Sequence, residues 1–257
     1  MKLIFPLLVL FAAGLDPATA QSVPLPRPRP APPVESSPQV EEGPSACRIR
    51  LTAELAIAPS VTTLNGAGEC AVADAVRLEA VVLRDGSRVA ITPPATLRCE
   101  MAESVVGWVR DDIAAAVQAL GAPLRSIENY DSYDCRGRNN IVGAQLSEHG
   151  KANALDVHSL RLTNGRVVVL TDPHVARDFR ESTRKSVCGR FSTVLGPGSD
   201  GYHEDHVHVD RRERTRGYRI CQWDVRDPEP PAESATAEEV PLPPPRPKLE
   251  PKRGRKR

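Results

Sequence analysis

Three of the six histidines in the chain fall within the short run His203–Asp210 (HEDHVHVD): His203, His206 and His208. A fourth, His149, stands seven residues before Asp156. His206 and His208 are two apart, and on a regular strand that spacing sends both side chains to one face. Imidazole with carboxylate is ligand chemistry. A catalytic zinc takes three protein ligands from His, Asp and Glu and keeps one position open for water. His149, Asp156 and one histidine of the His206/His208 pair would supply that set. Asp205 would then stand beside the metal as a general base, taking a proton from water whose pKa the metal lowers towards about 7. A lone histidine is ordinarily a surface or satisfied core residue, but HxxHxH on one short segment resists that reading. Covalent catalysis has no visible nucleophile. There is no G-x-S-x-G, and an even cysteine count in an exported chain reads as bridges rather than as a reactive thiol.

The elements that must hold these residues are partly legible. Val105, Val109, Ile113, Val117 and Leu120 recur at helical spacing, and Gly121 is a plausible stop. Residues Asn153–Leu170 read as two strand-like runs around Asn164-Gly165, a strong hairpin signal. Asp172-Pro173 looks like an N-cap followed by proline at the first helical position, opening a helix that carries Val175, Phe179 and Val187 inward. His203–Asp210 alternates and is partly β-branched, so it reads as a strand. Helices and an antiparallel hairpin without βαβ alternation predict an α+β domain with a small antiparallel sheet and flanking helices.

Composition sets the frame around that domain. Of 25 prolines in 257 residues, ten precede Cys47 and nine follow Asp227. One compact domain (45–226) is therefore expected between a proline-rich linker (21–44) and a proline-rich tail (227–257), neither able to bury apolar surface. The formal net charge of +1 makes no case for nucleic-acid binding. Lys2, the apolar run Leu3–Leu15 and Ala18-Thr19-Ala20 read as a signal peptide over residues 1–20. The run is short for an uncleaved anchor, and no later stretch is long enough for a transmembrane span. Export to the periplasm or beyond makes Cys47, Cys70, Cys99, Cys135, Cys188 and Cys221 readable as three disulfides of open pairing. The basic end, Lys252-Arg253-Gly254-Arg255-Lys256-Arg257, is either a contact for anionic envelope polymers or a solubilising tail.

Ser147-Glu148-His149-Gly150-Lys151-Ala152-Asn153-Ala154-Leu155-Asp156 resembles the SxHxxGxAxD motif of the zinc D-alanyl-D-alanine carboxypeptidase and murein endopeptidase superfamily. Asp205-His206-Val207-His208 is similar to the second half of that site. From about Cys47 to Cys221, the run through Trp108, Tyr133-Asp134-Cys135-Arg136 and Val194–Gly198 resembles the bacterial extensin-like C-terminal domain family. The resemblance implies that His149, Asp156 and His208 bind zinc, and that Asp205 is the general base that later protonates the leaving amine. It implies that His206 assists near the metal, with His203 supporting it from the preceding turn. Arg136 would polarise the scissile carbonyl, with Arg138 as the alternative register. Ala152 departs from the motif, which has glycine there; if the position needs a positive φ, alanine costs about 1 kcal/mol or more. The implied function is an exported zinc peptidase acting on peptidoglycan peptides. The alternative is a non-catalytic wall-binding module with a structural or vestigial metal, which would need no free carboxylate at Asp205.

Overall fold

A computed structural model describes residues 44–228 of the chain. The expected signal peptide, nearly all of the proline-rich linker and the tail from residue 229 onward lie outside the described residues. Strands β1 (Ala56–Ile57), β2 (Ala75–Val82), β3 (Arg88–Arg98), β4 (Leu124–Asp131), β5 (Ala154–Leu162), β6 (Val167–Val169), β7 (Thr193–Leu195), β8 (Val207–Asp210) and β9 (Ile220–Gln222) form one sheet. Its order is β1-β2-β3-β4-β5-β8-β7-β9, with β6 beside β5. The class is mixed α and β as expected, but the nine-stranded sheet exceeds the small antiparallel one anticipated. Two pairings, β3 with β4 and β7 with β9, are parallel.

The β3–β4 pairing requires a crossover, and the expected helix supplies it. Helix α1 (Ala46–Arg50) precedes it, and α2 (Cys99–Trp108) runs into a widened π-turn over Val109–Ile113, a short α3 (Ala114–Ala116) and a tight turn at Val117–Leu120. Val105, Val109, Ile113 and Val117 repeat every four residues, more than the 3.6 of an α-helix. The π-turn absorbs the excess, and all four side chains are fully buried. Gly121 then ends the run at φ 96°.

Helix α4 spans Arg177–Arg190 and starts later than Asp172-Pro173 implied. The Asp172 side chain instead accepts from the His174 amide, closing a turn of its own before the helix. Val175, Phe179 and Val187 are buried as expected. Trp108 on α2 donates to Ser186 Oγ on α4 at 3.1 Å and meets Phe191 edge-on at 6.3 Å, which locks the two helices together. The hairpin at Asn164-Gly165 forms between β5 and β6, with Gly165 at φ 86°.

Three bridges staple the domain: Cys47–Cys99 ties α1 to α2, Cys70–Cys135 pins the loop after β4, and Cys188–Cys221 ties α4 to β9. No cysteine is free.

Period-two alternation divides the central strands between two jobs. Leu155 and Val157 on β5, Val207 and Val209 on β8 and Val194 on β7 join the apolar core. Their neighbours Asp156, His208, Asp210, Thr193 and Leu195 line a cavity of about 700 Å³.

Candidate metal centre

Register sets the heart of the site. Asp156 of β5 lies opposite His208 of β8 on one side and Asp131 of β4 on the other. Directly opposed side chains share a face, so Asp156 and His208 meet without any loop having to bring them together. His149 comes from outside the sheet, on a single tight turn, His149–Lys151. That turn ends at Ala152, whose φ of 51° and ψ of 31° are left-handed, so the position does need the conformation its glycine counterpart would supply freely. The Ala152 amide donates to the His149 carbonyl, and its own carbonyl accepts from Arg98. Gly150 sits in close quarters: a Cβ there would lie 2.7 Å from Leu146 Cδ1, so that side chain would have to move to admit one.

His149, Asp156 and His208, the three residues expected as metal ligands, converge into a cluster that could hold a metal ion. His149 Nε2 lies 3.1 Å from His208 Nδ1 and 3.3 Å from Asp156 Oδ1. His208 Nδ1 lies 2.8 Å from Asp156 Oδ1. Ligands about 2.0–2.1 Å from a tetrahedral zinc sit roughly 3.3 Å apart, so the three atoms fit such an ion after a small expansion. The outer ring nitrogens are committed elsewhere. His149 Nδ1–H donates to the Ser132 carbonyl at 2.6 Å, and His208 Nε2–H donates to Asp210 Oδ2 at 3.3 Å. Each ring is thereby oriented with its other nitrogen facing the trio, the second layer that metal-binding histidines need. Asp210 is fixed in turn by the Arg212 amide at 2.9 Å.

The electrostatics are those of a site that wants a cation. Burial opposes ionisation of Asp156, but hydrogen bonds from His149, His206 and His208 outweigh it and hold its carboxyl well below the usual 3.8. Burial likewise opposes charge on His208, yet Asp156 and Asp210 push its pKa up to about 10. Two proximal carboxylates and two inward nitrogens hold a proton in the absence of a metal, and a metal ion would displace it.

Two further histidines face the trio, each backed by a carboxylate. His206 Nδ1–H donates to Asp205 Oδ1 at 2.7 Å, while its Nε2 lies 3.4 Å from Asp156 Oδ2. Tyr130 stacks on the His206 ring at 4.9 Å, and its hydroxyl lies 3.4 Å from Asp205 Oδ2. His203 Nδ1–H donates to Asp200 at 2.7 Å. The His203 and His206 ring centres are 5.2 Å apart. Strand β8 begins only at Val207, so His206 sits in the bend before it rather than on the strand. It still lines the same cavity as His208.

Asp205 stands differently from the position its expected role implies. Its side chain is 64% exposed, it does not line the cavity, and it reaches the trio only through His206. Arg136 does line the cavity, with Nη2 on Asp131 at 2.6 Å and Nε near Asp134 at 3.0 Å. Arg138, its alternative, lines it too. Sequence reasoning missed Asp200, Asp210, Asp131 and Tyr130. Only Asp210 carried a signal, since the alternation of His208-Val209-Asp210 continues the face that begins at His206.

The model of the family described as extensin-like protein C-terminus matches residues 45–222, well over half of the chain. The chain belongs to the extensin-like protein C-terminus family. Neither the comparison with curated proteins nor that with solved structures yields a match. The match covers every residue of the candidate centre in this extensin-like domain, from Tyr130 to Arg212.

Proposed function

We propose that the extensin-like domain is a zinc-dependent peptidase of the bacterial envelope, hydrolysing an amide bond in peptidoglycan peptides. The observation that carries the reading is the trio His149, Asp156 and His208, with both histidine rings oriented by outer hydrogen bonds and, among the described residues, three side chains placed to ligate one ion. A structural zinc site usually closes with a fourth protein ligand. Here the space beside the trio is an open cavity. The substrate class rests on the likeness of Ser147–Asp156 and Asp205–His208 to the motifs of zinc carboxypeptidases and murein endopeptidases. The location rests on the signal-peptide pattern of residues 1–20.

A bound zinc ion supplies a Lewis acid that polarises a carbonyl and acidifies water. The chain's own residues supply the rest. His206 faces Asp156 with Nε2 and is held at Nδ1 by Asp205, so it is the base, and Asp205 positions it. Its pKa is raised: burial pulls it down, but Asp156 and Asp205 more than compensate. A base so tuned also returns its proton to a leaving amine. Asp205 therefore acts through His206 rather than on water directly. Arg136, charged and anchored by Asp131 and Asp134, stands at the cavity wall where a scissile carbonyl oxygen would gain from a cation.

The decisive experiment measures metal content of the mature chain, purified without chelator, alongside hydrolysis of isolated muropeptides. About one zinc per chain and cleavage that a chelator abolishes and zinc restores are expected. A chain without stoichiometric metal would overturn the site. Stoichiometric zinc with no hydrolysis of any muropeptide would leave the wall-binding module instead.

A further inference from the structure

Four arginines line the cavity that holds the trio: Arg136, Arg138, Arg212 and Arg214. Two are committed to the protein. Arg136 is held by Asp131 and Asp134, and Arg214 donates to the Ser192 carbonyl at 3.0 Å and to Thr193 Oγ1 at 2.7 Å. The other two are not. Among the described residues, neither the Arg138 nor the Arg212 guanidinium donates a hydrogen bond or has a carboxylate within 4.0 Å, although both belong to half-buried residues.

Their backbones, by contrast, are fixed. The Arg138 amide donates to the Gln145 carbonyl at 2.9 Å, and the turn that follows it is set by Asn139 and Asn140, both left-handed at φ 52° and 57°. The Arg212 amide donates to Asp210, the residue that orients His208. A guanidinium carries five N–H donors in a planar fork shaped for a carboxylate. Two such forks, firmly based and unsatisfied within one cavity, lack only an anionic acceptor. The acidic groups of the cavity do not supply it: Asp131 is taken by Arg136, Glu148 by Asn153 and Lys151, Asp156 by the histidines, Asp200 by His203, and Asp210 by His208 and the Arg212 amide.

We propose that Arg138 and Arg212 form the anchor for a substrate carboxylate, so that the domain selects anionic peptides and sets their position relative to the metal-ligating trio. The inference rests on the peptidase reading above and names its substrate class. The carboxylate has two possible sources, a peptide C-terminus or an acidic side chain, and both present the same acceptor to the same forks.

Because a carboxylate can also ligate a metal, binding is measured calorimetrically on the full mature chain after chelator treatment. Three probes separate the sources: N-acetyl-D-alanyl-D-alanine, its C-terminal amide, and N-acetyl-D-glutamyl-D-alaninamide. At least one carboxylate-bearing probe should bind about tenfold or more tighter than the uncharged amide, the gain of a charge-assisted hydrogen bond. Arg138→Gln and Arg212→Gln should each erase that difference while leaving the unfolding temperature unchanged, and Arg138→Lys should restore only part of it. Preference for the first probe identifies a terminal carboxylate, and preference for the third a side-chain one. If no probe discriminates, or if both glutamine variants bind as the unaltered chain does, the anchor is wrong. Arginine-dependent binding in a chain whose zinc-loaded form cleaves nothing would retain the anchor and remove the peptidase. Zinc-dependent cleavage indifferent to both arginines would do the reverse.

Discussion

Each histidine of the trio gives one nitrogen to the protein and keeps one for the centre, and that choice is made by residues outside the motifs. The trio was legible because its residue types and spacing are unusual. Ser132 and Asp210 were not, because their role depends on where β4, β5 and β8 come into register, which no local pattern states. The consequence is measurable. Asp210→Asn keeps all three ligands but weakens the acceptor on His208 Nε2–H, so zinc affinity should fall about 10–100-fold in a competitive chelator titration. His208→Ala removes a ligand and should leave well under one zinc per chain by elemental analysis. Either variant holding zinc as the unaltered chain does would remove its residue from the centre. Asp205 calls for kinetics. As the partner of His206 Nδ1, it is not a ligand, so Asp205→Asn should retain zinc while kcat for muropeptide hydrolysis falls at least about 10²-fold with little change in KM. His206→Ala should lose at least as much. The double variant should lose no more than His206→Ala, since residues acting as a unit are not additive. Losses that multiply in the double variant would return the base role to Asp205 itself.

At the scale of elements, the local signals that succeeded were those with a steric cause. Asn164-Gly165 made its hairpin, Gly121 ended its helical run, and the four-residue apolar repeat lay on one face. Asp172-Pro173 misled because the same Asp side chain that caps helices also closes isolated turns, and the sequence shows only the residue. Strand β3 was obscured by Pro93-Pro94, which interrupt the alternation of Val89, Ile91, Ala95 and Leu97 and read as a breaker. The turn carrying His149 is the element on which the site depends, and its weak point is Ala152. Left-handed backbone costs a non-glycine residue about 1–2 kcal/mol. Ala152 also buries its methyl completely, against Val72 and Ala75, which contributes about 0.8 kcal/mol. Ala152→Gly exchanges one for the other, so thermal unfolding should be unchanged or shifted upward by up to about 1 kcal/mol. Ala152→Val adds β-branching at positive φ in a filled site and should destabilise by about 2 kcal/mol or more. A strongly destabilised glycine variant would show that the methyl contact, rather than the backbone, governs this turn.

Over the whole molecule, a sheet buried under α2 and α4 on one side leaves its other side to concentrate charge around Asp156. The sequence indicated a domain of mixed α and β class, but not the nine-strand order, because long-range pairing is decided by which edges remain after the helices dock. Nor could it choose among fifteen disulfide pairings. That burial couples the centre to the stability of the fold, and the coupling has a sign. In the metal-free chain the His208 pKa is raised from 6.5 to about 10. Its protonated form therefore adds stability that is fully present below 6.5 and is lost as pH rises towards about 10. Asp156, depressed below 3.8, adds stability that is present above that value and lost as pH falls through its lower folded value. Metal-free protein should thus lose unfolding temperature steadily between pH 6.5 and 10. On the proposed reading a metal ion would take the proton's place at His208, and ligand deprotonation would then favour binding rather than oppose the fold. Saturating zinc should therefore raise the unfolding temperature more at pH 8 than at pH 6, opposite in trend to the metal-free chain. His208→Ala should remove both the alkaline slope and the zinc response in the same calorimetric scans. Parallel pH profiles with and without zinc would show that the buried cluster is held by protons alone and that the ion binds elsewhere.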